Sequence, residues 1–216
     1  MKILIADDHT VVREGLMHIL LKEWPTAEFG EAICASDVMQ LLHLKTWDVV
    51  ILDINMPGQS GLELLQDIKQ DYPKLPVLIL TMHPEEQYAM RAIKLGAAGY
   101  LLKDSAGAEL ILALHKLVAG GRYISSTLAE RMANALADDN NDRPCHELLS
   151  DRELVVLCGI ASGKTVTEIA VDLSLSVKTV SSYRARLLQK MAMRTNAQLM
   201  HYAISNQLVT DIKLHR

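Results

Sequence analysis

Four short apolar runs punctuate the first hundred residues: Ile3-Leu4-Ile5-Ala6, Val49-Val50-Ile51-Leu52, Val77-Leu78-Ile79-Leu80 and Gly99-Tyr100-Leu101-Leu102. Runs this short, rich in Val, Ile and Leu and unbroken by polar positions, predict strands buried on both faces. Residues 28–33 predict a fifth strand at an edge. The stretches between carry apolar residues at helical spacing: Val12, Leu16, Ile19 and Leu20; Val38, Leu41, Leu42 and Leu44, with Ser36 as cap; Leu62, Leu65 and Ile68. Two more follow, Tyr88, Ala92, Ile93 and Leu95 behind Pro84, and Leu110, Leu114, Leu117 and Val118 behind Ser105. Strand and helix alternating five times predict an α/β domain, a five-stranded parallel doubly wound sheet, over residues 1–123.

The pattern changes after residue 123. Residues 124–147 hold one predicted helix, 127–137, and then the polar run Asp138-Asp139-Asn140-Asn141-Asp142-Arg143-Pro144, which reads as a linker. Residues 148–216 are helical throughout. Ser150-Asp151-Arg152-Glu153 forms a capping box ahead of Leu154, Leu157 and Ile160, and Gly163 ends that helix. A short helix from Thr165 to Leu173, a tight turn, and a longer helix capped by Ser176 then give the helix-turn-helix pattern, with a fourth helix over 195–206.

The residues just past each apolar run turn this architecture into chemistry. Asp7-Asp8 come after the first, Asp53 after the central one, Thr81 after the next and Lys103 after the last. In a parallel sheet the functional groups gather beyond the carboxyl ends of the strands, so three acids, a hydroxyl and an ammonium converge on one crevice. An Asp after a strand is often only the cap of the next helix; four strand ends in agreement point further. Crowded carboxylates repel, and Mg2+ suits such oxygen ligands while leaving positions for an incoming phosphoryl group. Asp53 is therefore read as a nucleophile that accepts phosphoryl, with Lys103 and Thr81 offsetting charge on the phosphoryl oxygens.

Charge separates the two parts. Residues 1–147 carry 13 Lys and Arg against 21 Asp and Glu, a net of −8, whereas residues 148–216 carry 9 against 5, a net of +4. A basic helical domain behind an acidic one points to a polyanionic partner. On the long helix, Val177, Val180, Leu187 and Met191 are predicted to face the core. Lys178, Ser181, Ser182 and Ala185 then face outward toward base edges, with Thr179, Tyr183, Arg184 and Arg186 in reach of phosphates. Cys34, Cys145 and Cys158 are too far apart for a zinc or disulfide pattern. No apolar run approaches the ~20 residues of a membrane helix and no signal-peptide pattern opens the chain, so a cytoplasmic protein without membrane association is expected.

These residues resemble the response regulators of two-component systems, and the NarL/FixJ branch in particular. Asp7-Asp8-His9 with Val12-Arg13 and Gly15-Leu16, Asp53, Thr81, Tyr100 and Lys103-Asp104 stand as in its flavodoxin-like receiver domains. Leu149-Ser150-x-Arg152-Glu153, Gly163, Glu168-Ile169-Ala170, Leu173, Ser176 and Lys178-Thr179-Val180 are similar to the all-α, four-helix LuxR-type helix-turn-helix domain. The run Ser181-Ser182-Tyr183-Arg184-x-Arg186 looks most like the GacA/UvrY sub-branch.

The resemblance implies a transcription factor phosphorylated on Asp53 by a sensor histidine kinase. It implies a metal contact from the backbone carbonyl of Asn55, Tyr100 as a switch aromatic beside Thr81, and homodimers on double-stranded DNA with inverted half-sites. The dimer surface falls on the last helix, around Leu199, Tyr202 and Ala203; for any one residue there, internal packing is the alternative. A DNA-binding protein with an inert receiver is a second reading. A haloacid-dehalogenase-like phosphatase is a third, disfavoured because Asn55 stands where those enzymes need a second acid. On the main reading the chain is no enzyme beyond a slow loss of phosphate from Asp53, whose rate Asn55 and His83 are expected to tune.

Overall fold

The structure is a computed structural model of the 216-residue chain. It describes all residues but 58, 83, 84, 138–144, 174, 207 and 210–216, and all described side chains but those at 85–87, 106, 108, 131, 134–137, 147 and 151. The expectations for Pro84 and His83, and for the polar run of the linker, lie outside the described residues. The chain forms two compact units, Met1–Ala137 and Asp138–Arg216.

In the first unit β1 (Lys2–Ala6), β2 (Glu28–Ala32), β3 (Val49–Leu52), β4 (Val77–Thr81) and β5 (Gly99–Leu102) alternate with helices. These are α1 (Thr10–Glu23), α2 (Ala35–Leu44), α3 (Gly61–Asp71), α4 (Glu85–Lys94) and α5 (Ala106–Val118). The sheet is wholly parallel in the order β2-β1-β3-β4-β5. Every residue of β3 and β4 is buried, as their unbroken apolar sequences require, whereas β2 alternates as an edge strand does. Gly30 in β2 is dictated by a neighbour: a Cβ there would lie 2.3 Å from the Trp47 ring, which packs against this strand while its indole N–H donates to the Leu41 carbonyl.

Several local expectations are corrected. Helix α2 begins at Ala35 with Cys34 at the cap position, so Ser36 lies inside the first turn; the Asp37 carboxylate instead accepts the Ile33 N–H. Ser105 sits at the cap position of α5 without capping it, because its hydroxyl donates to the Leu102 carbonyl across a tight 3-10 turn, Lys103–Ser105. Leu44 and Val118, at the last turns of their helices, overhang the core and are exposed. Helix α6 (Ser126–Ala137) clusters with the first unit and packs on α4, and Tyr123 bridges to Gly99 along the β5 edge.

The second unit contains α7 (Asp151–Ala161), α8 (Val166–Asp172), α9 (Val177–Lys190) and α10 (Asn196–Ser205). Each start is sealed by its own sequence: Ser150 with Glu153, Thr165 with Glu168 and Thr195 with Gln198 form capping boxes, and Ser176 Oγ accepts the Thr179 N–H. Gly163, in the left-handed region at φ 82°, closes α7. Leu154, Leu157, Ile160, Ile169, Val180, Leu187, Leu199 and Ala203 are buried, and α7 packs against both α9 and α10. Among the described residues no helix is long and apolar enough to cross a membrane.

Candidate functional site

The sheet order reverses between β1 and β3, and a doubly wound sheet opens its ligand crevice at such a point, beyond the strand ends. Asp7 follows β1 and Asp53 follows β3, held side by side because the Asp53 N–H donates to the Ala6 carbonyl at 2.9 Å. Both are buried, at 2% and 3% exposure. Lys103, just past β5, places its ammonium 2.7 Å from Asp7 Oδ2 and 2.8 Å from Asp53 Oδ2. Thr81, the last residue of β4, and Tyr100 in β5 are buried on the neighbouring strands. Asn55 is half-buried in the loop after β3. Asp8 is not the cap of α1, a position His9 holds. Its carboxylate lies in the crevice with those of Asp7 and Asp53, one ligand atom from each of these three and from His9 falling within 4.8 Å of the others.

The electrostatics reflect two carboxylates sharing one ammonium in a dry place. Burial pushes the Asp53 carboxyl above its ordinary 3.8; Lys103 opposes the rise, Asp7 adds to it, and the Asn55 N–H opposes it more weakly. For Lys103 burial disfavours the charged form, but the pull of Asp53 and Asp7 outweighs it and holds the ammonium above its ordinary 10.5. Among the described residues Asp53 Oδ1 is buried with no hydrogen-bond partner. The donor set, three clustered carboxylates with one ammonium between two of them, fits a hard divalent cation such as Mg2+.

On α9 the structure separates the predicted residues by role. Lys178, Ser181, Ser182 and Arg186 are exposed, and Thr179, Tyr183 and Arg184 are half-buried. The Thr179 hydroxyl lies 2.7 Å from Ser176 Oγ, the Ser182 hydroxyl donates to the Lys178 carbonyl, and Arg184 Nε donates to Asn196 Oδ1 at 2.7 Å. Val180, Leu187 and Met191 face the core as expected, but Val177 is 47% exposed. It stands in the first turn, beyond the reach of the packed helices. The predicted dimer residues divide as well. Leu199 and Ala203 are wholly buried by the packing of α10 on α7 and offer no surface, a correction to the expectation. Tyr202 is half-buried, its hydroxyl 3.0 Å from His146 Nδ1.

Residues 3–115 match the response regulator receiver domain, and residues 147–203 match the bacterial regulatory proteins of the luxR family. The chain is a NarL/FixJ-family response regulator. It is 35% identical over 206 residues, 95% of its length and 94% of the relative's, to the response regulator UvrY of Escherichia coli K12. It is 32% identical to the response regulator GacA of Pseudomonas aeruginosa, over 96% of this chain and 97% of that one. Among solved structures, RcsB from Salmonella enterica serovar Typhimurium bound to promoter rprA with the phosphomimetic BeF3− is 30% identical, covers 95% of this chain and 99% of its own, and superposes with a TM-score of 0.60. The response regulator thus joins a receiver to a LuxR-type DNA-binding domain, and its relatives are transcription regulators.

Two residues complete the response regulator's pocket without having been assigned a role from sequence. Arg13 is 7% exposed, donates from its guanidinium to the Asp7 carbonyl at 2.9 Å and pairs with Glu31, so it fixes the turn that carries the acids. Gly61, the first residue of α3, lies against the backbone of Asp53 and Ile54, where a Cβ would come within 2.2 Å of the Asp53 carbonyl. The signal for Gly61 in the sequence is the Ser60-Gly61 pair just ahead of the apolar face Leu62, Leu65 and Ile68. For Arg13 the signal was a cation one turn after the acidic pair.

Proposed function

We propose that the protein is switched by phosphorylation of Asp53 and, when switched, dimerises and binds DNA at inverted half-sites. The observation that carries this reading is Asp53 itself, with one oxygen on Lys103 and the other buried and, among the described residues, unpartnered at the sheet's crossover point. That oxygen attacks the phosphorus of a sensor kinase's phosphohistidine: a P–O bond forms, the P–N bond breaks, and the histidine nitrogen leaves with the bond's electron pair and takes a proton. Lys103 stays charged beside the new phosphoryl oxygens, and Thr81 lies at the neighbouring strand end to donate to one of them. Asp7, Asp8, Asp53 and the Asn55 carbonyl would hold Mg2+, which offsets the charge on those oxygens.

Phosphorylation then favours one of two receiver states, with Thr81 and Tyr100 as the moving pair, and the bias reaches the DNA-binding domain, residues 148–216, through the linker, 124–147. On the DNA, Lys178, Ser181 and Ser182 meet base edges and Thr179, Tyr183, Arg184 and Arg186 meet phosphates; α10 supplies the dimer contact through Tyr202. The site is in the cytoplasm, and loss of phosphate from Asp53 is slow. The test is intact mass after incubation with a small phosphodonor and Mg2+. A single phosphoryl adduct on the wild type and none on Asp53→Ala is the expected result. No adduct on either would leave the DNA-binding domain as the working part and the receiver inert.

A further inference from the structure

The end of the receiver sheet opposite the acidic crevice carries a second recess. Where β3 and β4 begin, the ends of α2, α3 and α5 border a cleft of about 610 Å3, walled by Leu42, Trp47, Leu75, Leu117 and Val118. A smaller cleft of about 340 Å3 adjoins it through the shared Pro73, Pro76 and Gly120, and its charged lining is Lys69, Lys74 and Arg122. Among the described residues no carboxylate lines the smaller cleft. The Asp48 carboxylate, in the larger one, is occupied, since it accepts the Lys2 N–H at 2.7 Å.

The cations of the smaller cleft have little to neutralise them. Lys69 Nζ donates to the neutral Leu75 carbonyl at 2.6 Å, and among the described residues neither Lys74 nor Arg122 has a carboxylate partner. Burial, and after it the Arg122 charge, hold the Lys69 ammonium below its ordinary 10.5. By contrast Lys45, in the larger cleft, is engaged, 4.2 Å from the centre of the Trp47 ring and 3.4 Å from Glu28 Oε2. An anion relieves the repulsion between unpaired cations, and apolar walls beside them select one with an apolar body. We propose that this end of the receiver binds a small amphipathic anion, its apolar body in the larger cleft and its phosphate or carboxylate head among Lys69, Lys74 and Arg122. The Arg122 fork takes two oxygens of such a head, and Lys74 meets it as a point charge. No residue of the acidic crevice takes part, so this binding is tested apart from phosphorylation of Asp53.

The probe is decyl phosphate below its micelle concentration, with decanol and inorganic phosphate as its two halves. Calorimetry on the full chain is paired with the fluorescence of Trp47 in Trp24→Phe, which leaves one of the chain's two tryptophans. One decyl phosphate per chain, a shifted Trp47 emission, and an affinity about tenfold or more above that of either half are expected. Lys74, Arg122 and Val118 are exposed, so Lys74→Glu, Arg122→Glu and Val118→Asp should keep the melting temperature and each weaken binding about tenfold. Inorganic phosphate bound as well as decyl phosphate would mean a solvated basic surface and overturn the proposal. So would several probes per chain whose binding is indifferent to Val118→Asp. Flotation with phosphatidylglycerol vesicles is expected to leave the protein unbound; vesicle binding lost in the same three variants would overturn a free ligand in favour of a membrane headgroup.

Discussion

The α-carbon of Gly61 is pressed against the carbonyl of Asp53, so closely that a methyl group there would stand 2.2 Å from that oxygen and 2.7 Å from Ile54 Cα. The Gly61 N–H also donates to the Ile54 carbonyl at 2.9 Å, which ties the start of α3 to the loop that carries Asp53. The obstacle is backbone rather than a flexible side chain. Gly61→Ala is therefore expected to cost about 1–3 kcal/mol of receiver stability. It should also slow formation of the Asp53 adduct, because Asp53 must move. Urea unfolding and intact mass over a phosphodonor time course check the two effects together.

Lys103 stands between two buried acids, and its removal leaves them facing each other. Lys103→Met is expected to destabilise the first unit by about 3 kcal/mol in metal-free buffer, the cost of breaking a buried pair. Mg2+ then has more repulsion to relieve, so it should raise the melting temperature of the variant by more than that of the wild type. Thermal melts with chelator and with Mg2+ measure this difference of differences. An equal Mg2+ response in both proteins would place the ion away from Asp7 and Asp53.

How far the sequence alone reached depends on what each residue answers to. Asp7, Asp8, Asp53, Thr81 and Lys103 were legible because the ends of apolar runs are local features and parallel order brings those ends together. Arg13 was not, since nothing local tells a buried guanidinium from a solvated one; its burial depends on the Asp7 carbonyl and Glu31, from other segments. Leu199 and Ala203 show a related limit. Helical spacing identifies an apolar face, but whether that face meets α7 or a second copy is a tertiary fact. Val177 shares the stripe of Val180 and Leu187, yet the first turn projects beyond the core. Ser36 and Ser105 had the right residue type for caps and lost the role to nearby geometry, one to a helix starting two residues earlier and the other to a 3-10 turn.

The DNA-binding unit carries its own acid sensitivity. Glu153 is buried, and burial alone would raise its carboxyl; hydrogen bonds from Lys190 at 2.7 Å and from the Ser150 backbone N–H outweigh that and hold it below its ordinary 4.5. A carboxyl depressed in the folded state contributes stability that is fully present above the unfolded value, near 4.5, and lost as pH falls through the folded one. Amide exchange in α7 and α9 should therefore accelerate as pH drops below about 4.5, after correction for intrinsic rates. Glu153→Gln should be less stable at neutral pH and show a flatter acid limb. The same slope in both proteins would assign the acid sensitivity to another group.

Lys178 and Arg186 lie on the same exposed helix and are expected to fail differently. Lys178 is in the first turn of α9, beside the cap Ser176, where a recognition helix enters a groove, and among the described residues it has no carboxylate partner. Arg186 lies more than two turns further along and is exposed, the place proposed above for a phosphate contact. Lys178→Ala is expected to weaken binding at the operator by about 1–3 kcal/mol, more than on random DNA, because it removes a base contact. Arg186→Ala should weaken both alike and reduce the salt slope by about one counterion, because a phosphate contact carries charge but no sequence. Titrations on operator and scrambled duplexes at several salt concentrations separate the two. Equal losses for Lys178→Ala on both duplexes, with a reduced salt slope, would make it a phosphate contact and leave base reading to Ser181 and Ser182.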